Sequence, residues 1–202
     1  MVKEMSHYYQ NDPNLKSKIK EINYDYRGEK LKLLTDSGVF SKERIDFGTN
    51  LLLNNIKPEL DSLSVLDVGC GYGIIGLAIA KKYKNSKVHL VDVNLRAIEL
   101  AEENGKLNNL SNINIYESNI YENVKEKFDV IVTNPPIRAG KKIVHEIVLG
   151  SYDYLNDGGE IYVVIKKTQG APSLIKEMAK LFFSVVIVEK RSGYYIVKGI
   201  KK

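Results

Sequence analysis

The stretch VLDVGCGYGIIG, residues 65–76, decides which fold is expected for this chain. A short β-type run carries Asp67 and leads into a loop with glycines at positions 69, 71 and 73, and an apolar helical run follows. Glycines in such a loop allow positive φ angles and let a ligand approach the backbone closely. In open α/β sheets, ligands bind beyond the carboxyl ends of the strands. The stretch therefore predicts a ligand-binding loop at the tip of a parallel strand.

Outward from this stretch, β-type and helical runs alternate along the rest of the chain. The predicted strands are 64–69, 87–93, 113–118, 128–134 and 160–167, and the predicted helices are 74–84, 94–108, 139–154 and 171–181. Two last β-type runs, FFSVVIVEK and GYYIVKGI, are joined by RSG and predict an antiparallel hairpin. The alternation predicts an α/β, Rossmann-like fold with a mostly parallel, seven-stranded, doubly wound sheet and a C-terminal antiparallel hairpin.

The N-terminal part is expected to cover this core. Residues 20–40 predict a small polar hairpin with RGEK as its turn, and SKERIDFGTNLLLNNI (41–56) predicts a helix. The sequence shows no internal repeat or linker. We therefore expect one domain over 1–202, with 1–56 as an N-terminal cover and 57–202 as the cofactor-binding and catalytic core.

Composition narrows the class of protein. Of 202 residues, 44% are hydrophobic and 27% are charged, which is typical of a globular protein. No apolar run approaches the length of a membrane span, and a single cysteine, Cys70, is typical of a reducing cytoplasm. Three histidines (His7, His89 and His145) without metal-ligand spacing predict no metal site. The net charge of +5 allows a polyanionic partner without requiring one.

Two carboxylates indicate which ligand the glycine loop holds. Asp67, at the strand end, would repel a pyrophosphate but suits an ammonium group, and Asp92, ending the next strand, can accept from both ribose hydroxyls. Together they favour S-adenosylmethionine. One alternative is that Asp67 only caps the loop and Asp92 the next helix. Another is a nicotinamide-dependent oxidoreductase, because Gly71, Gly73 and Gly76 match G-x-G-x-x-G.

The strand over 128–134 ends in an unusual way, on Asn134, Pro135 and Pro136. Prolines fix φ and cannot donate to a sheet ladder, so this tripeptide could be a plain strand-ending turn. An acidic-strand glycine loop followed by (N/D)PP nevertheless resembles the Rossmann-like methyltransferases that modify exocyclic amino nitrogens. The resemblance implies that Asn134, Pro135 and Pro136 are catalytic and grip the target NH2. Two acceptors, the Asn134 side-chain oxygen and the Pro135 carbonyl, would aim the nitrogen lone pair at the methyl group.

The order of further segments makes the resemblance more specific. HYY, SGVFSKERIDFGTNLLL (37–53), VLDVGCGYG and NPP are similar in order to the small-domain class I methyltransferase family, whose best-known activity is guanine-N2 methylation of small-subunit ribosomal RNA. The similarity covers nearly the whole chain and implies that Phe40, Ser41, Asp46, Gly48 and Thr49 line the cofactor pocket. The expected cofactor-binding residues are Asp67, Gly69, Gly71, Gly73, Asp92, Val93, Asn119, Asn134, Phe40 and Thr49.

This chain departs from the family pattern in three ways. Ile137 stands where related amino methyltransferases place an aromatic residue that stacks on the target base, so it would act through apolar contact. Asn119 stands where many relatives have an aspartate that receives the adenine amino group. The two-domain members also carry a degenerate N-terminal copy that helps recognise substrate, whereas the resemblance here is to a single-domain form.

Basic residues cluster at the edge expected to face the substrate. Arg138, Lys141 and Lys142 follow the NPP turn, and Lys166 and Lys167 end a neighbouring strand. Phosphate contacts supply much of nucleic-acid affinity, so Ile137, Arg138, Lys141 and Lys142 are the predicted substrate-binding residues, although a solvated helix face explains the lysines too. The expected acceptor is RNA, with ribosomal RNA or the small ribosomal subunit as partner and no membrane. Alternatives are a protein glutamine-N5 or nucleic-acid adenine-N6 methyltransferase, and a catalytically silent RNA-binding module.

Overall fold

A computed structural model describes residues 18–36, 45–56 and 62–202. Phe40 and Ser41, two of the predicted cofactor-pocket residues, lie outside these ranges. The strands are β1 Lys20–Tyr26, β2 Glu29–Thr35, β3 Ser64–Val68, β4 Lys87–Asp92, β5 Ile113–Glu117, β6 Phe128–Thr133, β7 Leu155–Lys166, β8 Ser184–Arg191 and β9 Tyr194–Ile200. The helices are α1 Phe47–Asn55, α2 Ile74–Lys82, α3 Leu95–Leu107, α4 Lys141–Tyr154 and α5 Ala171–Leu181, with short 3₁₀ helices at Ile137–Ala139 and Lys167–Gln169.

The main sheet has seven strands in the order β5-β4-β3-β6-β7-β9-β8. The first five strands in this order are parallel, and β9 runs antiparallel to both β7 and β8. The predicted seven-stranded, mostly parallel sheet with a C-terminal antiparallel hairpin is confirmed. Asp67 of β3 lies in register with Leu90 of β4 and Val132 of β6, so the carboxyl ends of these three strands meet at one edge.

Alternate residues of the central strands enter two separate cores because successive side chains of a strand point to opposite faces. On β6, Val130 and Val132 join the core beneath α1, α2, α3 and the β1–β2 hairpin, whereas Ile131 joins the core beneath α4 and α5. All three are fully buried. Burial on both faces explains the near-continuous apolar sequence of this strand.

The N-terminal hairpin is held to the core by Asn104 of α3 and by Asn108, the C-cap residue of α3. Asn104 accepts from the Leu34 backbone N–H (2.6 Å) and donates to the Leu34 carbonyl (2.9 Å), so its amide continues the ladder of β2. Asn108, one turn later, makes the same pair of bonds with Lys32. Asn104 also donates to the Tyr72 carbonyl in the glycine loop (2.9 Å), which joins the cover to the binding loop.

The first residues of α1 and β7 differ from the sequence predictions. Helix α1 begins at Phe47 because Asp46 caps it, accepting from the Thr49 N–H at 3.2 Å, and 41–44 lie outside the described ranges. Strand β7 begins at Leu155 and not at residue 160 as predicted. Leu155 already pairs with Phe128 of β6, and a register shift separates this pair from the regular ladder that starts at Val130 and Glu160.

No helix in the described ranges is long and apolar enough to cross a membrane.

Candidate active site

The glycine loop is fastened to the neighbouring strand by its backbone. The N–H groups of Gly69 and Cys70 both donate to the Val91 carbonyl (2.9 Å each), and the Gly71 N–H donates to Asp92 Oδ2 (2.8 Å). Gly69 and Gly71 have positive φ (72° and 57°), and a Cβ on either would have no atom within 4 Å. The loop therefore presents backbone to open space, as a ligand-binding loop requires.

Gly76 has a different role from the loop glycines. A Cβ on it would lie 2.6 Å from Leu90 Cδ2, so this glycine lets α2 pack closely on β4. Close helix–strand packing is the role that the third glycine of the G-x-G-x-x-G pattern has in general.

Asp67 combines a structural contact with an unsatisfied oxygen. Its side chain is 0% exposed, and Oδ2 accepts from the Gly76 N–H (2.8 Å), which caps the first turn of α2. Its Oδ1 is buried without a hydrogen-bond partner in the described part of the chain. Burial, opposed by the Gly76 hydrogen bond and assisted by the Asp92 charge, raises the pKa of Asp67 to about 7. A buried, unsatisfied carboxylate oxygen is costly unless a ligand donates to it.

Asp92 ties the loop to the end of β4. Its Oδ1 accepts from the Asn94 N–H (2.9 Å), and its Oδ2 accepts from Gly71. Burial raises the pKa of Asp92, while bonds from Asn94, Gly71 and Val93 lower it. The helix cap expected in the alternative reading belongs instead to Asn94, which accepts from the Arg96 N–H. A carboxylate oxygen has two lone-pair sites, so Asp92 can still accept from hydroxyl groups.

The turn after β5 brings Asn119 to the same edge. The Ser118 N–H donates to the Asp92 carbonyl (3.0 Å), and the exposed Asn119 follows it, its carbonyl accepting from the Glu122 N–H. Val93, also predicted to bind the cofactor, is exposed just beyond β4.

Asn134 lies at the tip of β6, and α1 fixes its side chain. Its Nδ2 donates to Thr49 Oγ1 (2.9 Å) and lies 3.4 Å from Asp46 Oδ2. Because the amide nitrogen is occupied by α1, the oxygen is the atom available to accept from a substrate. Sequence reasoning predicted that Thr49 and Asp46 line the cofactor pocket, and it missed their contact with Asn134.

The two prolines shape the turn after Asn134. Pro135 is buried, and the Pro136 carbonyl accepts from the Ala139 N–H (2.9 Å), which starts the short 3₁₀ helix. Gly140 (φ 98°) ends this helix and precedes α4, whose first turn has no acidic residue. Ile137 is half-buried against the core beneath α4, whereas Arg138, Lys141 and Lys142 are exposed at this end of α4.

Cys70 fills the glycine loop as a small buried residue. Burial, and the nearby Asp92 and Asp67 carboxylates, raise the pKa of its thiol well above the ordinary value, so it is not an activated nucleophile. Within the described ranges, no group of three or more His, Cys, Asp or Glu side chains could hold a metal ion. The predicted lack of a metal site stays a prediction.

Comparison with known proteins identifies relatives over most of the chain. The profile of the methyltransferase small domain matches residues 30–198. A Bacillus subtilis (strain 168) protein named "Uncharacterized protein YbxB" is 46% identical over 198 residues, covering 96% of this chain and 98% of that protein. Ribosomal RNA small subunit methyltransferase C of Haemophilus influenzae (strain PittGG) is 32% identical over 177 residues, covering 86% of this chain and 52% of that enzyme. The chain thus spans about half the length of the methyltransferase C relatives.

Solved structures show the same fold. The T. thermophilus 16S rRNA N2 G1207 methyltransferase, solved in complex with AdoMet and guanosine, superposes with a TM-score of 0.81 at 24% identity, covering 94% of this chain and 52% of that one. A methyltransferase from Pyrococcus furiosus superposes with a TM-score of 0.65 at 25% identity, covering 75% of this chain and 80% of that one. The predicted class I methyltransferase fold is confirmed.

Proposed function

We propose that this chain, which belongs to the methyltransferase small domain family and takes S-adenosylmethionine as its cofactor, is an RNA methyltransferase. Its target is the exocyclic amino nitrogen N2 of a guanine in small-subunit ribosomal RNA. The observation that carries the proposal is Asn134, an amide at the tip of β6 whose nitrogen is held by Thr49, so that its oxygen can accept from an amino group.

The residues at the sheet edge fit S-adenosylmethionine. The unsatisfied Asp67 oxygen supplies an acceptor for the ligand's ammonium group, and Gly69 and Gly71 leave room for the ligand against the backbone. Asp92 would accept from the ribose hydroxyls, and Val93 and Asn119 would hold the adenine. When bound, the cofactor supplies a methyl group made electrophilic by the sulfonium.

The chain contributes placement more than acid–base chemistry. The Asn134 oxygen and the Pro135 carbonyl accept the two hydrogens of the guanine amino group, which favours a pyramidal nitrogen with its lone pair aimed at the methyl carbon. With the cofactor bound, the nitrogen–carbon bond would form as the carbon–sulfur bond breaks, the electron pair would stay on sulfur, and the surplus N–H proton would leave to water. Holding two reactants in line in a desolvated site accounts for much of such a rate.

Basic residues support RNA as the acceptor. Lys141 and Lys142 occupy the first turn of α4, where the helix dipole disfavours cations, and both are exposed. A phosphate bound there would relieve this unfavourable arrangement. The names of the methyltransferase C relatives point to the same class of substrate. The proposal includes a cytoplasmic location and one domain in which 1–56 covers the core at 57–202.

The half-buried position of Ile137 bears on the other amino acceptors. Its side chain packs against the core beneath α4. Adenine-N6 and glutamine-N5 enzymes typically have an aromatic residue at this position that stacks on the substrate, and Ile137 cannot stack in this way. This observation disfavours those two acceptors.

Transfer of radiolabelled methyl from S-adenosylmethionine tests the proposal. The acceptors are total RNA, small ribosomal subunits, DNA and cell protein from a strain that lacks this gene. We expect label in small-subunit ribosomal RNA, recovered as N2-methylguanosine after digestion. Label in DNA or protein would overturn the substrate, and cofactor binding without label in any acceptor would contradict the proposal as a whole.

Thr49 should act as a positioning residue for Asn134. Replacing it by valine keeps the shape but removes the acceptor of the Asn134 Nδ2 hydrogen bond, so we expect kcat to fall about 10- to 100-fold. The KM for S-adenosylmethionine should change far less, and Thr49→Ser should restore most of the rate. If Thr49→Val lowers kcat and raises the KM for S-adenosylmethionine to the same extent, or if Thr49→Ser does not restore the rate, Thr49 has a packing role only.

A further inference from the structure

An aromatic pair, with one ring exposed and the other half-buried, lies on the same sheet edge as Asn134. Phe47, the first residue of α1, is 41% exposed, and its ring centroid lies 5.4 Å from that of Tyr194, the first residue of β9. Lys166, at the end of β7, places Nζ 4.7 Å from the Tyr194 ring centroid. These three residues (Phe47, Tyr194 and Lys166) are called the aromatic platform below.

The aromatic platform abuts the residues that hold Asn134. A Cβ built on Gly48 would lie 2.9 Å from Tyr194 Cε1 and 3.0 Å from Asp46 Oδ2, so the tyrosine ring packs directly on this glycine. Asp46 Oδ2 in turn lies 3.4 Å from Asn134 Nδ2. One layer of side chain therefore separates the platform from the tip of β6.

We infer that the aromatic platform stacks the base that flanks the target guanine in the RNA, an inference that rests on the proposed function. Aromatic rings stack on any base, and a lysine beside them meets the adjoining phosphate, which is the usual composition of a single-strand binding surface. Lys167, exposed next to Lys166, adds a second cation.

The position of the platform selects the flanking base over the target itself. The target amino group must reach the Asn134 oxygen, whereas Asp46 and Gly48 stand between Asn134 and the rings. A base on the rings is thus displaced sideways from the reacting base, as a neighbour in the chain would be. Stacking on the flanking base also compensates for Ile137, which offers the target no aromatic ring.

Phe47 is the residue to change, because its ring is exposed and belongs to neither buried core. The variants are Phe47→Ala, Phe47→Leu and Phe47→Trp. The matched control is Phe183→Ala. Phe183 is also exposed (73%), but it precedes β8 at the opposite edge of the sheet from Asn134. The probes are short uridine-rich RNA oligonucleotides with one guanine, flanked by fluorescent 2-aminopurine on the 5′ side in one probe and on the 3′ side in the other.

Binding of the original protein should quench the 2-aminopurine of one probe, since stacking quenches this base. Phe47→Ala should lose the quenching and bind roughly 5- to 100-fold more weakly. Phe47→Trp should keep both properties, and Phe183→Ala should behave like the original protein. Equal binding and quenching by Phe47→Ala, or by Phe47→Leu, which cannot stack, would overturn the inference, as would absence of RNA binding.

A second readout separates failure of the platform from failure of the proposed function. For methyl transfer to RNA, Phe47→Ala should raise KM and leave kcat nearly unchanged. Phe47-dependent quenching without methylation of any guanine would retain the platform and overturn the guanine-N2 activity. Methylation of RNA with the same KM in Phe47→Ala and the original protein would retain the activity and overturn the platform.

Discussion

Asn134→Ala is expected to lower the rate of methyl transfer about 100- to 1,000-fold, the loss typical of removing one preorganised hydrogen-bonding group from a reacting centre. The variant loses the acceptor oxygen that aligns the amino nitrogen. It also loses the contact with Thr49, which costs on the order of 1 kcal/mol of folding stability. S-adenosylmethionine affinity should change by less than about tenfold, because one neutral hydrogen bond contributes on the order of 1 kcal/mol.

Single-turnover assays with saturating cofactor, alongside calorimetric titration of S-adenosylmethionine, measure these two quantities separately. Asn114→Ala, which removes an exposed asparagine from β5, serves as the matched control and should retain full activity. Turnover by Asn134→Ala within threefold of the original protein would show that the NPP segment is only a strand-ending turn.

The geometry also predicts how the acidic variant behaves. In Asn134→Asp, a carboxylate oxygen replaces the amide nitrogen that now lies 3.4 Å from Asp46 Oδ2, so two like charges face each other. Thr49 can reverse its hydroxyl and donate, which keeps the side chain in place. We expect intermediate activity that rises when Asp46 is also replaced by asparagine, because the repulsion is then removed.

The sheet could be predicted from the sequence because its signals are local. Strands such as 128–134 are short apolar runs that end at Gly, Asn or Pro, and the βα alternation leaves few possible topologies. The glycine loop and Asp67 were recognisable for the same reason, as consecutive residues in one strand and turn. The order of these signals along the chain was sufficient to predict which strand ends meet.

Contacts between distant segments could not be predicted in this way. Asn104 binds both Leu34 and Tyr72, yet in the sequence it is one polar residue in a mixed helix; only its spacing of four from Asn108 hints at a shared face. The bond from Asn134 to Thr49 joins residues 85 positions apart. Phe47 and Tyr194 meet only because α1 lies over the ends of β7 and β9.

The Asp67 carboxylate is expected to destabilise the cofactor-free fold but to bind the cofactor, so its substitution should have large and opposite effects on folding stability and on cofactor affinity. The pKa of its carboxyl is about 7 in the folded chain, against an ordinary value of 3.8, so the folded state binds the proton more tightly than the unfolded state does. Stability contributed by the protonated form is therefore fully present below about pH 3.8 and is lost as pH rises from there to about 7. Ionising this carboxyl costs on the order of 4 kcal/mol more in the folded chain than in the unfolded chain.

Asp67→Asn should therefore stabilise the cofactor-free protein at pH 8 by about 1–3 kcal/mol, less than the full cost of ionisation because the new amide nitrogen is left buried without an acceptor. At pH 5 the gain should disappear, since the original carboxyl is protonated there. Urea unfolding midpoints of the two proteins across pH 5 to 8 measure the difference. A variant that is equally or less stable at every pH would show that the carboxylate is already satisfied in the folded protein.

The same substitution should nearly abolish cofactor binding, because removing one partner of a buried ion pair leaves the other charge uncompensated. We expect S-adenosylmethionine to bind Asp67→Asn roughly 100-fold or more weakly, and to give the variant little thermal stabilisation at concentrations that stabilise the original protein. In the original protein, affinity should fall as pH drops below about 7, approaching tenfold per pH unit, since the carboxyl must lose its proton to receive the ammonium. Asp67→Asn should lack this dependence. Cofactor affinity that is unchanged by the substitution and flat between pH 6 and 8 would place the ligand's ammonium group away from Asp67 and reduce this residue to a cap for α2.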